Sequence, residues 1–290
     1  MKCNICPREC GADRSVSLGI CKAPYDFKVV KAMPHFWEEP PISGEKGSGA
    51  VFFSGCNLGC VYCQNYDVSH KSKGKIVSDE RLLKIFFELK DKGVHNINLV
   101  NPTHYAEKLK DILVKWEHNL PVVYNSSGYE KTGTLKGLEG FVDIYLPDLK
   151  YISDERSEKY SSCKDYFSYA SKALIEMKKQ IPTCEYDEKG IMKKGIIVRH
   201  LILPKNTNQS IKILDWTAEN MGLDTAISIM CQYTPFGEVS QFKELQRRIT
   251  EREYEKVLQY AFSLGFETVF SQDFSSAQED FIPDFDFSGV

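Results

Sequence analysis

Three cysteines close together carry the strongest chemical signal in the sequence. They lie in the run Ser54-Gly55-Cys56-Asn57-Leu58-Gly59-Cys60-Val61-Tyr62-Cys63-Gln64-Asn65. Thiolates are soft ligands suited to iron–sulfur clusters or zinc. An ordinary four-iron cluster takes four cysteines. With only three, one iron keeps an open position, as catalytic metals do. Gly55 and Gly59 let the backbone turn tightly around a bulky cluster. A zinc knuckle completed by His70 or His35 is the competing reading, but zinc sites favour paired Cys-x-x-Cys spacings.

A second group, Cys3, Cys6, Cys10 and Cys21, lies near the start of the chain. Four soft ligands in a loop-rich segment could close a tetrahedral zinc site. They could equally hold a second four-iron cluster that passes electrons inward, or remain free thiols. So short a segment has little core of its own, so a metal would do much of its folding. Asp13-Arg14 reads as a surface or packing pair. The other three of the ten cysteines, Cys163, Cys184 and Cys231, are scattered and read as inert core or loop thiols. The start of the chain has no apolar signal core, so metal or redox chemistry is preferred over disulfides and a cytoplasmic location is expected. No stretch approaches the ~20 apolar residues of a membrane span.

Something must position these thiols. The chain has 290 residues, 42% hydrophobic and 27% charged, enough to bury a core. Its net charge of −3 gives no sign of broad nucleic-acid binding. Residues 1 to about 48 read as irregular, ending in the glycine-rich run 43–49. Strands and helices then alternate. Strands are expected at 50–53, 96–100, 122–124, 141–146, 195–203, 226–230 and 268–270. Helices are expected at 78–93, 104–118, 167–180, 210–221 and 250–264. Such alternation means parallel strands with crossover helices. No Gly-x-Gly-x-x-Gly follows a strand, which weakens a dinucleotide reading. The expected organisation is a cysteine-rich metal-binding segment (1–47), an α/β domain (48–272) and a C-terminal extension (273–290). The extension's alternating acids and aromatics (280–287) suggest packing onto the domain.

Cys-x-x-x-Cys-x-aromatic-Cys after the first strand of a βα series resembles the radical S-adenosylmethionine (SAM) superfamily. Within it the chain resembles the pyruvate formate-lyase activating enzyme group, in particular members with a cysteine-rich N-terminus. Asp143-Ile144-Tyr145-Leu146-Pro147-Asp148-Leu149-Lys150 is similar to the activase signature around Asp-Leu-Lys, and Val198-Arg199-His200-Leu201-Ile202-Leu203-Pro204 to the activase strand Arg-Tyr-Val-Val-Val-Pro. The resemblance covers roughly residues 48–270. It implies a partial (β/α)6 TIM-like barrel with its site at the C-terminal ends of the strands. It further implies that Cys56, Cys60 and Cys63 hold a 4Fe-4S cluster whose fourth iron is chelated by SAM. One electron then breaks the sulfonium bond, and the resulting 5′-deoxyadenosyl radical abstracts a substrate hydrogen.

The same resemblance suggests SAM-binding residues. Tyr62 stands where the family places an aromatic near adenine. Asn101 and Thr103 end the second strand, where the family often has Gly-Gly-Glu. Asn125 ends the third, where activases carry Thr-Asn-Gly. Asp148 and Lys150, two residues apart on a strand, face the same way. They would pair with each other and with the zwitterionic end of SAM. Arg199, central in an apolar strand, requires a carboxylate partner, either SAM or Asp148. Gln232 replaces the histidine of the activase Leu-Leu-Pro-Tyr-His. Among the histidines, His95, His104 and His118 read as structural or exposed, with His104 closest to the expected site.

The activity implied is hydrogen abstraction, with activation of a glycyl radical protein as one form. Modification of a small molecule, peptide or RNA is an alternative, and a non-catalytic iron–sulfur or zinc protein is another. A flavodoxin- or ferredoxin-type reductant and a protein or peptide substrate are the expected partners.

Overall fold

The computed structural model describes residues 2–117, 119–274 and 283–290. His118 and residues 280–282 of the acidic–aromatic tail lie outside the described residues. Ten strands are described: β1 (Lys28–His35), β2 (Ser48–Phe53), β3 (Lys75–Ile76), β4 (Ile97–Val100), β5 (Val122–Ser126), β6 (Ile144–Pro147), β7 (Glu185–Tyr186), β8 (Met192–Leu201), β9 (Ala226–Met230) and β10 (Val269–Ser271). Their order is β10-β9-β8-β6-β5-β4-β2-β1-β3, with β7 paired to β8. From β2 to β10 neighbouring strands on this path are parallel. The sheet does not close, which makes it the partial TIM-like barrel expected. Every residue of β2, β5 and β9 is buried, as in parallel strands covered on both faces.

The helices are α1 (Pro40–Ser43), α2 (Tyr66–Ser69), α3 (Asp79–Asp91), α4 (Ala106–Trp116), α5 (Thr132–Lys136), α6 (Asp154–Ser161), α7 (Tyr166–Gln180), α8 (Thr207–Met221) and α9 (Glu251–Leu264). Their ends follow local chemistry. The Ser78 side chain accepts from the Arg81 N–H at the start of α3. Thr250 and Glu253 form a reciprocal capping box on α9, which Gly265 ends at φ +88°.

Two expectations are corrected. Residues 28–35, read as irregular, form β1, which pairs antiparallel with β2. That pairing is non-local and leaves little pattern in the segment itself. Helix α6 was not foreseen, because it buries only Ser157, Tyr160 and Ser161. The tail does pack. Lys31 meets Asp286 at 3.1 Å, Ala32 N–H donates to Ser288 O at 3.1 Å, and the Phe285 ring meets Phe52 edge-on at 5.7 Å. Pro283, Phe285 and Phe287 are half-buried while Asp284 and Asp286 are exposed, so the alternation read from the sequence is a one-sided contact.

Candidate active site

The loop after β2 carries the three central thiols into a cleft of about 260 Å³. Gly55 allows its sharp turn at φ +90°; a Cβ there would come within 2.5 Å of Cys21 O. The loop rests on the C-terminal end of α6, with Gly59 N–H donating to Ser161 O (3.1 Å) and Val61 N–H to Tyr160 O (2.9 Å). Each sulfur receives a hydrogen bond. Leu58 N–H reaches Cys56 Sγ at 3.4 Å, Ser161 Oγ reaches Cys60 Sγ at 2.9 Å, and Ser69 Oγ reaches Cys63 Sγ at 3.2 Å. Ser161 is in turn linked to Tyr151 Oη (2.7 Å), and Tyr151 to Tyr62 Oη (2.6 Å). Burial and then the neighbouring thiols push Cys63 up to about 11 and raise Cys56 still further. Burial likewise raises Cys60. Bare thiols here stay protonated at neutral pH, so thiolates form only when a metal replaces their protons. Three thiols in one cleft, each with a hydrogen-bond donor aimed at its sulfur, fit a cluster.

A charged network occupies the barrel interior nearby. Lys150 Nζ meets Asp148 Oδ2 at 2.6 Å, and Arg199 Nε meets Asp148 Oδ1 at 3.0 Å. Arg199 Nη1 meets Glu38 Oε2 at 3.1 Å and Nη2 donates to Asn125 Oδ1 at 2.5 Å. Burial works against the Asp148 carboxylate, but Arg199 and Lys150 outweigh it and hold the group below the usual range. Lys150 is held above the usual range, burial being outweighed by Asp148 and Cys60.

Glu38 is the residue that sequence reasoning missed. β1 runs antiparallel to β2, so its end at His35 lies beside Ser48, at the far end of the barrel from the cysteines. From there Glu38 reaches into the interior, and its Oε1 accepts from Asn98 and Asn125 Nδ2, both at 3.0 Å. The neighbouring Glu39 is buried, and its carboxyl is raised by that burial against the pull of Arg199. The sequence signal is slight: two adjacent acids before Pro40.

Of the expected SAM-binding residues, Tyr62, Asn101, Asn125, Asp148, Lys150, Arg199 and Gln232 line the cleft with Cys56, Cys60 and Cys63. Thr103 does not. It is fully buried and donates to Glu130 Oε1 at 2.5 Å. Asn101, at φ +59°, lends its side-chain amide to Gly55 O, bracing the cysteine loop. Gln232 Oε1 accepts from Gln272 Nε2 at 2.9 Å. His104 is buried, its Nε2 2.8 Å from Ser54 O, and structural. Arg14 is buried against Tyr105 and donates to Ala23 O. Cys3, Cys6, Cys10 and Cys21 do not line the cleft; Cys21 O lies against Gly55, and the Cys10 and Cys21 sulfurs flank Gly19.

A partial parallel barrel with three converging thiols at the C-terminal end of its first parallel strand defines a metal-dependent α/β enzyme. Residues 50–214, more than half of the chain, match the Radical SAM superfamily. The chain belongs to that superfamily, whose cofactors are a 4Fe-4S cluster and SAM. It is 28% identical to an uncharacterized protein of Methanocaldococcus jannaschii over 278 residues, 92% of this chain and 76% of that one. It is 30% identical to the pyruvate formate-lyase-activating enzyme of Clostridium pasteurianum over 114 residues, 36% of this chain and 46% of that enzyme. Among solved structures, Streptococcus suis SuiB bound to its precursor peptide SuiA superposes with TM-score 0.54 at 14% identity, over 75% of this chain and 46% of SuiB. SuiB bound to S-adenosylmethionine gives 0.53, with 14% identity, 75% of this chain and 48% of SuiB covered. The chain thus spans about half the length of SuiB, and that likeness establishes the fold. No helix among the described residues is long and apolar enough to cross a membrane.

Proposed function

We propose that this radical SAM enzyme abstracts a hydrogen atom from a polypeptide, with glycyl radical formation as its reaction. The observation that carries the chemistry is the meeting, in one cleft, of the Cys56–Cys60–Cys63 triplet and the Lys150–Asp148–Arg199 network. Cys56, Cys60 and Cys63 would hold the cluster, and Lys150 and Asp148 would face the zwitterionic end of SAM. Bound there, the two cofactors supply one-electron cleavage of the sulfonium bond and a 5′-deoxyadenosyl radical.

The protein's part is positioning. Arg199 has all three guanidinium nitrogens engaged by Asp148, Glu38 and Asn125. It therefore braces Asp148, and Asp148 orients Lys150. Tyr62 and Leu58 line the cleft with apolar surface that limits water. A polypeptide substrate is supported by the partial likeness to an activating enzyme and by SuiB's peptide complex. A one-electron reducing protein is the partner this chemistry requires.

The test is anaerobic. Wild type and Cys60→Ala are reconstituted with iron and sulfide, reduced, and given SAM with a deuterated candidate polypeptide. We expect 5′-deoxyadenosine from the wild type only, carrying deuterium from the substrate. SAM should also change the electron paramagnetic resonance (EPR) signal of the reduced cluster. A signal indifferent to SAM would sink the catalytic reading; nucleoside without deuterium transfer would sink the polypeptide reading.

A further inference from the structure

The segment holding Cys3, Cys6, Cys10 and Cys21 is folded by very little apolar contact. Its Val16, Leu18 and Ile20 are 84%, 57% and 57% exposed. Polar stitches fasten it to the barrel: Arg8 donates to Asn57 O (2.8 Å) and Ser162 O (2.6 Å), and Thr134 Oγ1 donates to Ile5 O (2.6 Å). Within it, short turns bring the thiols inward, with Glu9 N–H bonding to Cys6 O, Gly11 N–H to Cys3 O and Lys22 N–H to Gly19 O. Cys6 and Cys21 are buried, while Cys3 and Cys10 are partly exposed. The Cys10 and Cys21 sulfurs each lie 3.4 Å from the point a Cβ on Gly19 would occupy, so they are at most twice that apart.

We propose that Cys3, Cys6, Cys10 and Cys21 bind a second four-iron cluster, which receives the electron destined for the Cys56–Cys60–Cys63 site. Four thiolates complete such a cluster and leave it no open iron, so it can exchange electrons but not bind substrate. Zinc is redox-inert, whereas a four-iron cluster at Cys21 has a redox partner to serve one hydrogen bond away, at Cys56.

The electron's route is on the page. Cys56 N–H donates to Cys21 O at 3.0 Å. A single hydrogen bond therefore joins a ligand of one cluster to a ligand of the other. Cys3 and Cys10 face outward, where a low-potential iron–sulfur or flavin protein could deliver one electron at a time. Each transfer oxidises the donor and reduces the outer cluster, which then reduces the inner one. No bond or proton changes place. The electron's destination rests on the radical SAM reading, whereas the presence of the second cluster does not.

The full chain, anaerobically reconstituted, is assayed for iron, sulfide and zinc, and compared with Cys3→Ser/Cys10→Ser and with Cys60→Ala. We expect about eight irons per wild-type chain, halved in each variant. The Cys60→Ala signal should ignore SAM, and the double variant's should respond to it. One zinc with four irons in the wild type would overturn the proposal, as would an iron content untouched by the double substitution. Should the double variant fail to fold, the wild-type count and the Cys60→Ala spectrum still decide. A wild-type spectrum indifferent to SAM would refute the catalytic reading instead, with the iron count judging this site separately.

Discussion

Ser161 places a hydroxyl 2.9 Å from Cys60 Sγ at the end of a buried chain through Tyr151 to Tyr62. Hydrogen bonds to cluster sulfurs favour the more negative, reduced state. Ser161→Ala is therefore expected to lower the central cluster's midpoint potential while iron stays bound. The shift should be on the order of 30–60 mV, equivalent to roughly 0.7–1.4 kcal/mol for one electron. A redox titration followed by EPR reads this directly. Glu130 offers a test through pH. Its carboxyl, buried beside Thr103, is pushed from the ordinary 4.5 up to about 8 by that burial. Between those values the folded chain keeps a proton that the unfolded chain has lost, so stability falls as pH rises and levels off above about 8. Glu130→Gln should abolish this slope, with the gain in Tm largest near pH 8, as thermal melts across the window would register. Asp148 has the opposite sign. Its depressed pKa makes a contribution that is present at neutral pH and lost only as the medium falls below the ordinary carboxylate range. That Cys56, Cys60 and Cys63 share one cleft was legible in the sequence because their spacing is local. Glu38 was not, since its partners Asn98 and Arg199 stand 60 and 161 positions away.

The loop after β2 is the element on which both cysteine groups depend. Gly55 sits at φ +90° against Cys21 O, where a Cβ has no room. Gly55→Ala should pull apart the Cys21–Cys56 hydrogen bond, and iron incorporation should fall well below the wild-type level. Colorimetric iron analysis after reconstitution checks it. Thr250→Ala, in the capping box of α9, is the contrasting case. It should cost about 1 kcal/mol in denaturant unfolding and leave iron content unchanged. The helices announced themselves through caps and period, as α3 and α9 did. β1 and α6 did not. One owes its form to a partner strand, and the other shows the core only a few polar and aromatic residues. Thr103 was misplaced for a related reason, because the turn Thr103–Tyr105 after β4 points its side chain at Glu130 rather than the cleft.

Across the whole molecule, β1 serves both faces of the design. One end delivers Glu38 to the barrel interior, and its length receives the tail. Removing residues 283–290 would uncover Phe52, Val30 and Ala50, against which Phe285 and Phe287 pack. Burying each phenylalanine is worth roughly 1.5–3 kcal/mol when complete. The two are half-buried here, so the truncation should lower stability by about that amount in total, measured by chemical denaturation.

The Lys31–Asp284 contact spans 253 positions, the kind of closure that costs chain entropy before it returns anything. Such a clasp should form after the rate-limiting barrier to folding. Without it, refolding should proceed at the full-length rate while unfolding accelerates. A stopped-flow chevron of the two chains would show equal refolding limbs and displaced unfolding limbs; a slowed refolding limb would place the clasp in the nucleus instead. On this account the tail governs how long the native state lasts rather than how quickly it is reached.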